Sequence, residues 1–460
     1  MPAAGPLGGA RRHARARGTA LVLLALTSVA CAGGPAPTPS LGPVPSASLP
    51  ASASAQASAG LTATPAATGT PAPGRSAAPS ASPAPTVAPA GLSTDGPLPQ
   101  LTGLAGRLQA QLAAAVSRLH VPGVQATILL SDGSSWSGAA GLADVAAGRA
   151  MTTADVFDVG SITKTFIGAE VVRLAETGIL HLDDPLSRWV PSYPGAGAIT
   201  VRELLAHTSG LADYLGNEKL LIRLGSSTRT PWQPAALLPF VGKPVFPPGQ
   251  GWFYSNTNYL LLGEVIEAAT GRTVGEELAA RFLEPLALHA TALQSGTAAA
   301  PAPALGPLAD PYTRLAGTRV AYKDLADGTG YLPFTSLATS LDAAGSLVST
   351  SADLARWGAA LYGGSVVAPA SLQAMEDTSI SAPWKPRFVY GLATQRLTID
   401  GFTSYGHGGA CSGYRAALRY IPLLGVSIAV LTNIDGPDPD AIVAQLVTLI
   451  TAPRGGPGKA

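Results

Sequence analysis

Among its 460 residues the chain has two cysteines, Cys31 and Cys411. That excludes a disulfide scaffold and a Cys-rich zinc site. Nor is one sign of charge in excess: 29 Lys+Arg stand against 28 Asp+Glu, a net charge of +1. Without a basic surplus to neutralise phosphates, no nucleic-acid partner is expected. Charged residues make up only 12%. No self-similarity at solenoid periods is present. Lysine and histidine occur six times each and asparagine four times, so motifs containing them seldom arise by chance. What the chain does have is 53 Gly, 41 Pro and a hydrophobic content of 47%, much of it Ala, which is enough for a large core. Its length allows two or three domains.

Residues 1–31 read as an address. Arg11, Arg12, His13, Arg15 and Arg17 form a basic stretch, and Thr19 to Ala30 is an apolar run. The run is shorter than the roughly 20 residues that span a bilayer. A basic start, a short apolar centre and small residues before a cut site describe a secretory signal. The run ends Ser28-Val29-Ala30-Cys31, which resembles a bacterial lipobox, so Cys31 is the expected lipidation site. The alternative is an ordinary secretory signal that happens to contain a cysteine. The expected location is extracytoplasmic, on a lipid anchor, or else secreted. From 32 to 98, 42 of 67 residues are Ala, Pro or Ser, and only Arg75 and Asp95 carry charge. Such a segment buries too little apolar surface to offset its chain entropy. It reads as a disordered linker with an upper reach of ~200 Å if fully polyproline-like.

The folded domain is expected over 99–453, with a flexible tail over 454–460. Leu104, Leu108, Leu112, Val116 and Leu119 recur at helical spacing before Pro122-Gly123. Val124 to Leu130 and Trp136 to Gly141 read as a hairpin about Ser131-Asp132-Gly133. Ser161 to Thr177 reads as a helix capped by Gly178. The stretch from about 183 to 386 is expected to be helix-rich. Strands are expected over Gly391 to Ile399, Gly413 to Ile421 and Val426 to Thr432. An apolar closing helix follows over Ala441 to Thr451, started by Asp438 or Asp440. This pattern predicts an α/β (α+β) fold: a sheet assembled from both chain ends, with a helical insertion.

Three short motifs could carry chemistry. In Ser161-Ile162-Thr163-Lys164 the two polar side chains lie three apart on one helix face. The lysine amine can take the serine proton if its pKa is lowered. Tyr254-Ser255-Asn256 offers a phenol for proton relay and an amide for orientation. His407-Gly408-Gly409, between expected strands, offers an imidazole beside backbone that a ligand can approach closely. Chance alone gives about 0.5, 0.1 and 0.1 occurrences of these patterns, so all three in this order are a rare coincidence.

With these motifs the chain resembles the serine β-lactamase and penicillin-binding-protein superfamily, over roughly Leu104 to Asn433. The likeness extends to Leu204-Leu205-Ala206-His207-Thr208-Ser209-Gly210-Leu211, Phe246-Pro247-Pro248-Gly249, and Asp342-Ala343-Ala344-Gly345 before Asp353-Leu354-Ala355. It also covers Gly406-His407-Gly408-Gly409 with Gly413-Tyr414. The nearer look-alikes are class C β-lactamases, D-alanyl-D-alanine carboxypeptidases and related carboxylesterases. The resemblance implies an antiparallel sheet flanked by helices, with a helical lobe and the site in the cleft between. It implies Ser161 as the nucleophile that forms an acyl-enzyme, Lys164 as its base and Tyr254 as the proton relay. Asn256, His407, Gly408 and Gly409 are the implied substrate-binding residues, with His407 facing the substrate or the Tyr254 hydroxyl. The implied oxyanion hole is the backbone N–H of Ser161 and Ala410. No metal and no cofactor are implied. His407 stands where class C β-lactamases carry lysine, which points away from β-lactam hydrolysis. No Gly-x-Ser-x-Gly occurs, which argues against an α/β-hydrolase elbow.

The expected function is therefore a cell-envelope serine hydrolase, first of all a D-alanyl-D-alanine carboxypeptidase acting on peptidoglycan stem peptides. A carboxylesterase or a weak β-lactamase of the same fold is the alternative. A non-catalytic binder of wall peptides or β-lactams is the alternative from another class, and the complete Ser161, Lys164, Tyr254 set argues against it. Nothing in the sequence gives an oligomeric state. His207 is expected to stabilise a loop, Asp183-Asp184-Pro185 to form a turn, Cys411 to pack as a small residue, and Trp232, Trp252 and Trp384 to serve the core before a cleft.

Overall fold

The computed structural model of the chain describes residues 101, 103–295, 302–319, 321–384 and 389–452. The signal-like segment with Cys31, the spacer over 32–98 and the tail over 454–460 lie outside them. Helix α1 (Ala105–Leu119) buries Leu108, Leu112 and Ala115, and ends where His120 turns left-handed at φ 51°. Strands β1 (Gly123–Leu130) and β2 (Ser135–Asp144) form the expected hairpin, and β3 (Arg149–Ala150) extends it. Helix α2 (Thr163–Glu176) follows a tight turn, Gly160–Ile162, that carries Ser161. Helix α3 (Asn256–Thr270) and helix α4 (Ser351–Tyr362) come from the middle of the chain. The last part supplies β4 (Val389–Tyr390), β5 (Gln395–Ile399), β6 (Phe402–Cys411), β7 (Tyr414–Ile421), β8 (Val426–Thr432) and helix α5 (Asp440–Thr451).

These strands make one eight-stranded antiparallel sheet in the order β3-β2-β1-β8-β7-β6-β5-β4. β1 pairs with β8 from Val124↔Thr432 to Leu130↔Val426, so the two chain ends meet at the sheet centre. Side chains alternate along β8. Val426, Ile428 and Val430 join Leu108, Leu112, Ile442, Val443 and Leu446 under α1 and α5. Ala429 and Leu431 join Phe166 and Trp357 under α2 and α4. Each fully buried Leu, Ile or Val in these layers contributes roughly 1.5–3 kcal/mol, so helices on both faces hold the sheet. Phe166 stacks on Trp357 at 3.9 Å between centroids, which ties α2 to α4.

Three expectations differ from the structure. His407-Gly408-Gly409 lies inside β6, not between strands. β5 and β7 pair with β6 on its two sides, and those ladders hold the glycines extended. The strand expected over Gly391–Ile399 is broken, because Ala393 turns left-handed at φ 56° and a tight turn closes from Gly391 N–H to the Thr394 carbonyl. The middle of the chain is not only helical: Leu347–Ser349 pairs with Phe157–Asp158 on one side and with Ala292–Leu293 on the other, in a small sheet beside the Ser161 turn. Of the two aspartates expected to start α5, Asp438 does so, its carboxylate accepting the Asp440 N–H at 3.0 Å, while the Asp440 carboxylate takes two hydrogen bonds, 2.8 and 2.7 Å, from the buried Arg419.

Candidate active site

The turn that presents Ser161 is braced before the helix starts. The Asp158 carboxylate accepts the Gly160 N–H at 2.7 Å, and the Thr163 hydroxyl donates to the Gly160 carbonyl at 2.7 Å. Thr163 also accepts the Leu347 N–H at 3.1 Å. Gly160 has φ +51°, and a Cβ there would sit 2.7 Å from the Ala410 nitrogen. A Cβ on Gly409 would sit 2.1 Å from the Val159 carbonyl oxygen. Both glycines are required because the Ser161 turn lies directly on β6. That contact sets Ala410 beside the Ser161 turn, where the Ser161 and Ala410 N–H groups can serve one oxyanion.

Lys164, one turn into α2, is fully buried. Its Nζ lies 3.1 Å from Ser161 Oγ, 2.8 Å from Asn256 Oδ1 and 2.5 Å from the Ala344 carbonyl oxygen. Burial lowers its pKa from 10.5 to about 7, against an opposing pull from Asp213. The Tyr254 ring lies 5.0 Å from the amine, and its hydroxyl sits beside that of Ser161 without a well-aligned hydrogen bond. Burial raises the Tyr254 pKa, so the phenol keeps its proton. The two groups are thus suited to different work: a neutral Lys164 can be a base, and the protonated Tyr254 can pass a proton on.

Asn256 is the first residue of α3. His207 holds this junction. It turns left-handed after the helix over Val201–Ala206, and its Nδ1 accepts from Ser255 N–H at 3.2 Å and Asn258 Nδ2 at 2.9 Å. Its ring lies 4.3 Å from that of Tyr254. The loop that His207 stabilises is therefore the one bearing Tyr254 and Asn256.

His407 differs from the expectation that it faces substrate or Tyr254. It is 1% exposed, its Nε2 lies 3.1 Å from the Tyr390 hydroxyl and its Nδ1 2.6 Å from the Gly408 carbonyl oxygen. Only an Nδ1–H can bond a carbonyl, so Nε2 is the acceptor and Tyr390 the donor. Burial, with Lys164 nearby, drives the pKa of His407 well below 6.5, so the ring is neutral. The structure thus brings Ser161, Lys164, Tyr254 and Asn256 together and sets Gly409 and Ala410 against the Ser161 turn, while the His407 ring lies 6.2 Å from that of Tyr254 and the Gly408 N–H goes to Gln395 at 3.0 Å.

Three contributors were not legible beforehand. Ala344 acts through its carbonyl, which no side-chain pattern reveals. Tyr390 lies outside the motifs. Asp213, two residues past the quoted His207–Leu211 run, accepts Asn256 Nδ2 at 2.8 Å and Leu215 N–H at 3.0 Å. It also lines a cavity of about 350 Å³ with Phe240, Phe253 and Tyr254. Of the three tryptophans, Trp252 lies 6.0 Å from His207 in the aromatic cluster around the site. Trp384 is 43% exposed, so it is not a core residue.

Known proteins resemble this chain in sequence and in fold. A profile of the Beta-lactamase family matches residues 107–452. Penicillin-binding protein 4 of Amycolatopsis lactamdurans is 30% identical over 333 residues, which are 68% of this chain and 81% of that protein. Penicillin-binding protein 4* of Bacillus subtilis is 30% identical over 164 residues, and the chain spans 33% of its length. A D-stereospecific amidohydrolase from Streptomyces sp. superposes with a TM-score of 0.63 at 30% identity, covering 74% of this chain and 97% of that one.

Proposed function

The chain belongs to the Beta-lactamase family of serine hydrolases, and from that premise we propose that it cleaves amide bonds next to D-configured residues. Stem peptides ending in D-alanyl-D-alanine are the first candidates. The observation that carries this reading is the buried Lys164 amine, 3.1 Å from Ser161 Oγ, with a pKa of about 7. The likeness to a D-stereospecific amidohydrolase supports the D-configured substrate.

Neutral Lys164 accepts the Ser161 proton as Oγ bonds to the substrate carbonyl carbon. The oxyanion takes hydrogen bonds from the N–H groups of Ser161 and Ala410. When the C–N bond breaks, the leaving amine takes a proton from the Tyr254 hydroxyl, which the proton on Lys164 replaces. Water then attacks the acyl-enzyme by the reverse relay, and Ser161 is released.

An ester is the second substrate class, favoured by one observation: neutral His407, held by Tyr390 and Gly408, supplies no cation for a substrate carboxylate. A panel of an acyl-D-Ala-D-Ala peptide, a D-amino acid amide, a short-chain ester and a chromogenic cephalosporin tests both. We expect turnover of the peptide and the D-amide and slow hydrolysis of the cephalosporin; turnover of the ester alone overturns the amide reading. Peptide and ester should share one pH profile, and His407→Lys should slow both. A peptide rate that falls alone near the ordinary imidazole pKa of about 6.5 would give His407⁺ the carboxylate-binding role instead.

We also propose that the domain works outside the cytoplasm on a lipid anchor at Cys31, followed by the Pro/Ala/Ser spacer. The support is the basic stretch and apolar run ending in Cys31. Cys31→Ser should move the chain to the aqueous phase in detergent partitioning with kcat unchanged; retention in the detergent phase would remove the anchor.

A further inference from the structure

Lys164 can accept the Ser161 proton only if its lone pair points at that hydroxyl. A neutral amine has two N–H bonds and one lone pair. Three oxygens surround Nζ: Asn256 Oδ1, the Ala344 carbonyl and Ser161 Oγ. The first two can take both hydrogens, which leaves the lone pair for Ser161. This holds only while Asn256 shows its oxygen to the amine. Turned over, Asn256 would present Nδ2–H, capture the lone pair and leave Lys164 no base for Ser161.

The amide itself is nearly symmetric in shape, so something else must choose. That group is Asp213. Burial raises the pKa of the Asp213 carboxyl, against the hydrogen bonds from Leu215 and Asn256 and the nearby Lys164 amine; ionised, it accepts with both oxygens and cannot donate, so it binds the Nδ2 end of Asn256, here at 2.8 Å. Asp213 is itself held by the Leu215 N–H at 3.0 Å, at the start of the short turn over Tyr214–Gly216. We propose that Asp213 is a positioning residue which, by fixing the orientation of the Asn256 amide, keeps Lys164 competent as the base for Ser161. This rests on Ser161 and Lys164 acting as nucleophile and base.

Asp213 has a second effect, through its charge. The groups facing the amine are Ser161, Tyr254, Tyr259, Asn256 and Asp213, with the neutral His207 and His407 behind them. Asp342, on the turn that supplies Ala344, is engaged by Ser295. Asp213 supplies the negative charge that raises the Lys164 pKa against burial. Removing that charge therefore lowers the pH at which the amine becomes free.

Orientation and charge separate in two variants. In Asp213→Asn the charge is lost, and the single amide oxygen keeps the Asn256 orientation only by leaving the Leu215 N–H to face the new NH2. In Asp213→Leu both are lost. The readout is the rate at which a fluorophosphonate labels Ser161 in the full chain, measured from pH 5 to 10, because it needs no knowledge of the substrate. Asp213→Leu should label at least about 100-fold more slowly at every pH, and Asp213→Asn should stay within about tenfold of wild type with its acid limb moved to lower pH. Asp213→Leu within threefold of wild type overturns the proposal. So does Asp213→Ala within threefold of wild type, which decides the matter if Asp213→Leu does not fold. A wild-type chain that takes no label fails the serine-hydrolase reading itself, and this inference with it; normal wild-type labelling with indifferent Asp213 variants fails the inference alone.

Discussion

Ser161→Ala is expected to lower the turnover of every substrate by about 10⁴-fold or more while leaving the fold intact. Ser161 is the only serine three residues ahead of a lysine in the whole chain. Its hydroxyl is bonded to Lys164, so removing it takes away the bond-forming oxygen at little structural cost. The Gly160 turn, the Thr163 brace and the Ala410 backbone remain in place. The variant should therefore bind substrate with KM close to wild type, melt within a few degrees of it, and yield no acyl adduct in intact-mass measurement after mixing with substrate. Retention of more than a few percent of wild-type kcat, or an adduct on another residue, would refute the assignment of the nucleophile.

The second large effect concerns Lys164. Lys164→Met should lose about 10³-fold or more in kcat/KM, and Lys164→Arg should do no better, because a guanidinium stays protonated. The wild-type profile carries a further signature. The amine is a base only when neutral, so kcat/KM should rise with pH through an acid limb at about 7. A limb in the ordinary lysine range, about 10, would place the base elsewhere. The same shift has a consequence for stability. The folded pKa lies below the unfolded one, so between about pH 7 and 10.5 the unfolded chain binds more protons than the folded chain. Stability contributed by the neutral amine is therefore gained as pH rises across that window and lost as pH falls through it. Lys164→Met has no such group. The melting temperature of wild type relative to Lys164→Met should climb from pH 7 to pH 10, and a constant difference would contradict the buried neutral amine.

Much of the site was legible because its chemistry depends on side chains at short, rigid spacing. Ser161 and Lys164 share a helix face by the geometry of one turn, and Tyr254 and Asn256 flank a helix start. The rest depends on partners far along the chain. Asp213 lies 43 residues before Asn256, and Ala344 lies 180 residues after Lys164. No local pattern marks either, one being an ordinary aspartate in a loop and the other a bare carbonyl. His407 shows the opposite failure. Its place beside two glycines was plain, but the direction of its ring was not, since Tyr390 and the Gly408 carbonyl, which take both nitrogens, are set by the fold.

For the fold, the sequence by itself determined the pieces with strong periodicity: α1, the β1–β2 hairpin, α2, β7, β8 and α5. In each, alternation or helical recurrence of apolar residues records a face that must be buried. Only the tertiary structure decided what those faces meet. It paired β1 with β8, and it laid α4 against the sheet rather than in the helical insertion. It also kept His407-Gly408-Gly409 extended within β6, where the local signal read as a break between strands. The reason is physical: glycine has weak strand preference of its own, and here the ladders from β5 and β7 and the Ser161 turn packed on top outweigh it. Likewise the charge of Lys164 is no property of lysine in the sequence. It follows from complete burial, which removes the water that would keep the amine protonated, and from Asp213 acting against that loss.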